Sequence, residues 1–216
     1  MKHVLKSGAT ALAAATLVLT AAGTAHAESA TVNDRSGDVW RVPLSESGSF
    51  SKVGSTLNGD IDRTVVDHGT DMLTITTTFA RMAKKKVAFY PYYVIRTDSG
   101  DEYLAAAYAG PREWDGEHML DGISASPRTL PSLRGVPSSG EEPCADMTHR
   151  FSYRKDTVAV EVPRSCLGDA AWVKVKSLAI SAKPRGERLL VDNGHIRGHA
   201  YRGWTGQVDA ETAPID

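Results

Sequence analysis

Hydrophobic and polar residues alternate with a period of two along much of this chain. The stretch Leu73–Phe79 keeps its leucine, isoleucine and phenylalanine on one face and offers only threonines on the other. This pattern predicts an antiparallel strand with one buried and one solvated face. Residues 87–95 are apolar on both faces, so we expect them to be covered on both sides. Pro91 lies among them and cannot donate a ladder hydrogen bond, which predicts a bulge or an edge position there.

Further stretches have the alternation of strands. They are Asp38–Val42, Asp60–Asp67, Glu102–Ala109, Thr157–Val162 and Trp172–Ile180. In the last of these the alternation shifts its phase near Ser177. Helical periodicity is nearly absent after residue 27, and the best candidate is a turn or two over Phe79–Lys85. Many short strands separated by Gly, Pro, Asn and Asp predict an all-β fold, an antiparallel β-sandwich of jelly-roll or immunoglobulin-like type.

One region interrupts this rhythm. Residues 110–144 contain five prolines and little alternation, apart from a predicted short strand at Met119–Ile123. A loop of this length in a compact domain is usually functional or disordered. We therefore predict one long, proline-rich, irregular loop at 110–144.

The first 27 residues have the three parts of an export signal. Lys2 and Lys6 precede an apolar run, and the segment ends in the small-x-small sequence Ala25-His26-Ala27. We predict a signal peptide at 1–27, a secreted, extracellular protein and a single β-sandwich domain at 28–216. The alternative is an uncleaved anchor. It is disfavoured because the apolar run is too short to cross a bilayer, so no stable membrane insertion is expected after cleavage.

The charge balance excludes some partner classes. The whole chain has a formal net charge of −1, and removal of the two signal lysines makes it more negative. A net charge of this size does not favour nucleic acids or anionic membranes, both of which require a clustered basic face. Neither is expected as a partner.

The two cysteines predict one disulfide. Cys144 and Cys166 both lie in the exported part, where an even pair more often forms a disulfide than a catalytic or metal site. Residues 149–154 and 157–162 predict a hairpin about Lys155, and folding it brings both sulfurs to the same end. The alternative, a nucleophilic thiol at Cys166, lacks a supporting motif.

Two aspartate-rich turns are candidates for binding Ca²⁺. They are residues 34–38 (DRSGD) and 58–62 (NGDID). Calcium requires six or more oxygen ligands, which loop aspartates and backbone carbonyls supply. We predict Asp34, Asp38 and Asp60 as metal ligands. Neither turn has the EF-hand spacing, and the alternative is that these residue types only favour turn geometry.

Aromatic residues next to charged ones suggest a ligand site. Trp114 lies between Glu113 and Asp115, where an indole ring could stack on a sugar while the carboxylates bind its hydroxyls. The alternative is that Trp114 closes the core, as we expect for Trp204, Trp40 and Trp172. His195 and His199 are expected to be solvent-facing or structural, since a strand would separate them too far to share one ion.

Motifs of hydrolases are missing from the sequence. It contains neither a Gly-x-Ser-x-Gly elbow nor a His-Glu-x-x-His helix nor a phosphate loop. A triad could still assemble from distant positions such as His68, His118 and His149, because triads are defined by geometry. We regard catalysis as the less favoured alternative.

Together, residues 34–38, 60–61 and 162–168 (VPRSCLG) resemble small secreted proteins of unknown function from high-GC Gram-positive bacteria. More loosely, the chain is similar to DOMON and family 9 carbohydrate-binding modules. The resemblance implies an extracellular β-sandwich that binds a ligand, and it transfers no catalytic residues. Heme-binding DOMON members use Met and His ligands, and no such pair is evident here.

These observations predict a secreted, non-catalytic module that binds a ligand or a cell-surface partner. Carbohydrate is the favoured ligand, so the partner would be an extracellular polysaccharide or else a secreted protein. Two alternatives stay open: a secreted hydrolase with its site in the 110–144 loop, and an extracellular protease inhibitor that presents this loop.

Overall fold

The computed structural model describes residues 28–43, 51–84, 88–110, 113–122, 144–182, 188–194 and 204–211. Nearly all of its regular structure is β. The strands are β1 Glu28–Asn33, β2 Trp40–Pro43, β3 Ser51–Lys52, β4 Ile61–His68, β5 Met72–Phe79, β6 Ala88–Thr97, β7 Glu102–Gly110, β8 Glu113–Gly122, β9 Thr148–Ser152, β10 Thr157–Pro163, β11 Trp172–Ala182, β12 Arg188–Asn193 and β13 Val208–Asp209. A short 3₁₀ helix, Arg164–Leu167, follows β10. The predicted export signal and residues 195–203, which include His195 and His199, lie outside the described residues.

The strands form two antiparallel sheets that pack face to face. The smaller sheet has the order β1-β4-β5-β10-β9, and the larger has the order β3-β2-β12-β11-β6-β7-β8, with β13 added beside β11. The predicted all-β antiparallel sandwich is therefore confirmed. In β5 exposure alternates strictly between half-buried and buried positions, as the threonine pattern predicts.

The interior is formed by the apolar faces of both sheets. The smaller sheet contributes Val66, Ile75 and Val160, which lie side by side on β4, β5 and β10. The larger sheet contributes residues such as Phe89 and Val175. Burial of these side chains provides the main driving force for the association of the sheets.

A buried network of hydroxyl groups links the sheets inside this core. The Ser177 Oγ of β11 lies 2.9 Å from the Thr64 Oγ1 of β4. From β6, the Tyr93 hydroxyl donates to the Thr77 Oγ1 of β5 at 3.0 Å. The phase shift predicted at Ser177 is wrong: this residue continues the inward face of β11, and its hydroxyl satisfies a polar partner across the core.

Pro91 does not lie at an edge. Strand β6 is central, with Pro91 opposite Ala179 of β11. On the other side, the pairing with β7 stops at Phe89 and resumes at Tyr92 in the same register. The sheet therefore accommodates the missing N–H by a gap in one ladder, and the predicted bulge or edge position at Pro91 is wrong.

The first part of the predicted 110–144 loop is strand β8. Its alternation is hidden because the pairing with β7 shifts register between Tyr108 and Gly110. Gly116 has a φ of +86°, and a Cβ there would lie 2.5 Å from a carbon of the Phe151 ring. A bulge that requires glycine thus breaks the pattern. Residues 123–143 lie outside the described part.

The short helix predicted over Phe79–Lys85 does not form in its described residues, 79–84. Phe79 ends β5, and irregular chain follows. Here side chains bind the backbone N–H groups in place of helical carbonyls. The Met82 N–H donates to Asp156 Oδ1 at 2.7 Å, and the Ala83 N–H donates to Asn58 Oδ1 at 2.8 Å.

The predicted disulfide and its hairpin are confirmed. Strands β9 and β10 pair antiparallel on either side of Lys155, and Cys144 is bonded to Cys166 with a Cα–Cα distance of 5.7 Å. Cys166 belongs to the 3₁₀ helix after β10, and Cys144 precedes β9. The bond therefore joins the two ends of the hairpin.

Replacing Cys144 and Cys166 by serine should lower the free energy of unfolding by about 3 kcal/mol, because the denatured chain regains the entropy of a ring of this size. The ring spans a sequence separation of 22 residues. Urea denaturation measures the change. A reductant should lower the stability of the original protein to that of the variant and leave the variant unchanged. A loss below about 1 kcal/mol would contradict the entropic account.

Candidate functional site

An acidic cluster lies where the two sheets meet at one end of the sandwich. Asp34 directly follows β1 of the smaller sheet, and Asp38 lies just before β2 of the larger one. The turn between them requires Gly37, whose φ is +86°. The Gly37 N–H donates to both carboxylate oxygens of Asp60, at 2.8 and 3.1 Å. Asp60 thereby fixes the conformation of this turn.

Asp192 completes the cluster from the far end of the chain. One carboxylate oxygen from each of Asp34, Asp38 and Asp192 lies within 4.8 Å of the others. Asp192 is in β12, where it shares the inward register of Ala179, and the Ile61 N–H donates to its Oδ2 at 2.5 Å. This bond joins the larger sheet to the start of β4 in the smaller sheet.

Burial and mutual repulsion raise the pKa of all three carboxyl groups. Burial raises the pKa of Asp192 from 3.8 to about 8, although the Ile61 N–H opposes the change. Burial also raises the pKa of Asp34 to about 7. It raises the pKa of Asp38 as well, against the positive charge of Lys52. The folded chain therefore favours protons or another positive charge at this place.

The sequence prediction located most of this cluster but not all of it. Asp34 and Asp38 are members, as expected for a metal-binding turn. The predicted third ligand, Asp60, is fully buried beside them, and its negative charge raises the pKa of Asp192. Its carboxylate also accepts a hydrogen bond from the Gly37 N–H. Asp192 was not predicted, because nothing in the local sequence connects it with residues near the start of the chain.

A second candidate site is a cleft on the outer face of the larger sheet, the face directed away from the smaller sheet. The cleft encloses about 140 Å³. It lies beside the ladder gap at Pro91 of β6 and the bulge near Gly116 of β8, the two strands that flank β7. Its lining residues are Tyr90, Tyr92, Ala106, Ala107, Tyr108, Glu117, His118 and Met119.

Three tyrosine rings form one wall of this cleft. The centroids of Tyr90 and Tyr108 are 4.7 Å apart, and Tyr90 stacks on Tyr92 at 6.1 Å. Burial raises the pKa of Tyr90, as do the neighbouring Tyr108 and the hydrogen bond with it, so the Tyr90 phenol stays a neutral donor and acceptor. Glu117 is exposed at the rim. The arrangement combines flat apolar surface with a few polar groups, as ligand sites do.

The predicted ligand-binding residues Glu113, Trp114 and Asp115 begin strand β8. This is the strand that contributes Glu117 and Met119 to the cleft. The positions of their side chains lie outside what the structure describes. The sequence signal for the cleft is Tyr90-x-Tyr92, a pair on one face of β6, within residues that were expected only to be covered on both sides.

Trp204 closes the outer face at a different place. The guanidinium of Arg96 lies 4.4 Å from the centroid of its ring, and the ammonium of Lys176 lies 3.9 Å from it. A cation placed over the face of an indole ring is attracted by the negative charge of the π system, a cation–π interaction. Trp204 was expected to close the core, but its ring contacts Arg96 and Lys176 on the face of the larger sheet that is directed away from the core, so this expectation is wrong.

The three histidines considered for a triad do not come together. The buried His68 has its Nδ1 3.2 Å from the carbonyl of Val208, and burial lowers its pKa. His118 of β8 and His149 of β9 face each other, with their Nδ1 atoms 2.7 Å apart. This contact joins the edge strands of the two sheets, so its role is structural.

No protein-family model matches the chain, and no curated protein matches it. In the described residues, no helix is long and apolar enough to cross a membrane. The functional assignment therefore rests on the geometry of the two sites.

Replacing Asp192 by Asn should stabilise the protein more at pH 8 than at pH 5 when cations are removed with EDTA. In the unfolded chain Asp192 loses its proton near pH 4, whereas the folded chain keeps it up to about pH 8. The unfolded state binds fewer protons between these values, so this carboxyl group destabilises the fold increasingly as the pH rises. Urea titrations at both pH values test this, with the exposed Asp67→Asn as control. An unchanged difference between Asp192→Asn and the original chain would contradict it.

Replacing Gly110 by Ala should displace the Tyr108 ring at a cost of about 1–3 kcal/mol, the usual range for overpacking, because both the hydroxyl oxygen and Cζ of this rigid ring must move. A Cβ at Gly110 would lie 2.2 Å from the Tyr108 hydroxyl oxygen. Aromatic NMR shifts should change at Tyr108 and Tyr90, whose hydrogen bond is broken. Gly206→Ala, which meets no atom within 4 Å, is the matched control. Unchanged tyrosine signals would show that the ring does not occupy this space.

Proposed function

We propose that this chain is a secreted, non-catalytic β-sandwich module that binds a sugar ring in the tyrosine-lined cleft. The observation that carries the proposal is the group of Tyr90, Tyr92 and Tyr108 around one small cleft on an outer sheet face. Such a wall of aromatic rings favours the binding of a ligand over catalysis.

The chemistry of a pyranose ring matches this wall. One face of the ring consists of C–H groups, which pack on aromatic surface, and its edge carries hydroxyls. The phenol groups of Tyr90 and Tyr108 and the exposed carboxylate of Glu117 are the donors and acceptors that hydroxyls require. A volume of about 140 Å³ is smaller than the pockets that hold drug-sized ligands. One ring, at a chain end or a side branch, is therefore the fitting unit.

The residues predicted from the sequence to bind a ligand lie on a strand that lines this cleft. Trp114 and its acidic neighbours begin the strand that borders the cleft, so we propose that they extend the same binding surface. The disulfide supports an oxidising compartment, because such bonds persist mainly outside the reducing cytosol. An extracellular glycan is consistent with both points.

Wild-type protein should be retained on at least one insoluble polysaccharide, and Tyr90→Ala and Tyr108→Ala should each weaken binding at least about tenfold, which corresponds to about 1.4 kcal/mol. Binding is measured by pull-down and by titration with the corresponding soluble sugars. Trp114→Ala tests the proposed extension of the surface.

Tyr153→Ala is the matched control, because this tyrosine follows β9, stacks on Phe151 and is not one of the residues that line the cleft. It should bind like the wild type. Absence of wild-type binding to every polysaccharide and monosaccharide, or equal losses in the Tyr153 and Tyr90 variants, would refute the proposal.

A further inference from the structure

The acidic cluster concentrates negative charge, which the nearby Lys52 and Arg35 offset only in part at Asp38. Asp34, Asp38 and Asp192 bring carboxylate oxygens within 4.8 Å of one another, and the carboxylate of Asp60 is buried beside them. Among the described residues, no lysine or arginine forms a salt bridge with Asp34, Asp38 or Asp60. Buried carboxylates without a compensating charge destabilise a fold.

Unsatisfied oxygens give independent evidence for a ligand. Asp38 is only 6% exposed, and its buried Oδ1 has no hydrogen-bond partner. The buried Oδ2 of Asp34 also has none. Buried polar atoms of folded proteins are nearly always paired, so two orphaned carboxylate oxygens in one cluster require an explanation. A bound cation explains both, since it takes the place of hydrogen-bond donors.

We infer that Asp34, Asp38 and Asp192 bind a divalent cation, and that this cation is Ca²⁺. The donor set consists of carboxylate oxygens, which hard cations prefer, and not of the nitrogen or sulfur atoms that zinc and copper select. Two of the ligands lie on a turn and one on a strand, an irregular arrangement that the flexible coordination of Ca²⁺ tolerates. Magnesium requires a nearly ideal octahedron.

Asp60 has a supporting role in this site. Its two oxygens accept the Gly37 N–H and so hold the turn that carries Asp34 and Asp38 in place. Substitution of Asp60 should therefore weaken the site by loosening the turn.

The position of the site indicates what the ion does for the fold. Asp34 belongs to the end of a strand in the smaller sheet, and Asp192 belongs to the larger sheet. An ion bound to both is a clamp between the sheets, next to the hydrogen bond from Ile61 to Asp192. This inference does not rest on the proposed sugar binding, because the two sites share no residue.

The test is calcium titration of protein stripped with EDTA at pH 7.5, followed by calorimetry and thermal unfolding. We expect binding of one Ca²⁺ per chain, and at 10 mM Ca²⁺ a rise in Tm of at least about 3 °C, the order expected for an extracellular-type affinity. Magnesium at the same concentration should produce less than half of this rise. Absence of both heat and a Tm change in the wild type overturns the inference, and an equal effect of magnesium overturns the assignment to calcium.

Charge-removing variants locate the ion. Asp38→Asn and Asp192→Asn should abolish the calcium-dependent rise in Tm, whereas the exposed Asp67→Asn should retain it. If Asp38→Asn alters the circular dichroism spectrum, Asp34→Asn, at a half-buried position, provides the same test. Calcium binding retained in folded Asp34→Asn or Asp38→Asn overturns the assignment. Pull-downs repeated in EDTA keep the two hypotheses separate, since sugar binding is measured independently of the ion.

Discussion

The structure depends on the burial of two apolar sheet faces against each other, and the hydroxyl network within that interface makes the burial specific. Apolar packing alone tolerates many relative positions of two sheets. Hydrogen bonds are directional, and two of them connect one sheet with the other: one between Thr64 and Ser177, and one between Tyr93 and Thr77. Displacement of either sheet would leave buried hydroxyls unpaired, which costs more than the bonds contribute. The burial of apolar surface therefore stabilises the core, and a few hydrogen-bonded polar pairs fix how the two sheets are aligned.

Further links operate at the margins of the sandwich, where apolar area is small. The contact of His118 with His149 joins the edge strands at one side. The hydrogen bond of Ile61 with Asp192 joins the sheets near the acidic cluster. The disulfide, by contrast, acts within the smaller sheet and secures a single hairpin. Local pairing and inter-sheet alignment are thus stabilised by different kinds of bond.

Features of the sequence that are local could be predicted, and features that arise from chain folding could not. Strict alternation located β5, and the symmetry about Lys155 located the disulfide-bonded hairpin. A bulge or an edge is expected at Pro91 because its missing donor is visible in the sequence, while the gap in the ladder that accommodates it is not. In the acidic cluster, the turn with Asp34 and Asp38 could be recognised, but Asp192 is brought there by strand register. The cleft lies where residues of β6, β7 and β8 meet, and no local residue pattern specifies the pairing of these strands.

The pairing of β2 with β12 has a consequence for how the chain folds. Trp40 lies opposite Val191, so strands from opposite ends of the sequence are neighbours in the larger sheet. Closing such long loops has a large entropic cost before any contact compensates for it, and folds of this kind reach the native state slowly. The smaller sheet needs no strand beyond β10, so it can form first and offer a surface for the rest. Until β12 is docked, β2 pairs with β3 alone, so its other edge is open to pairing with another chain.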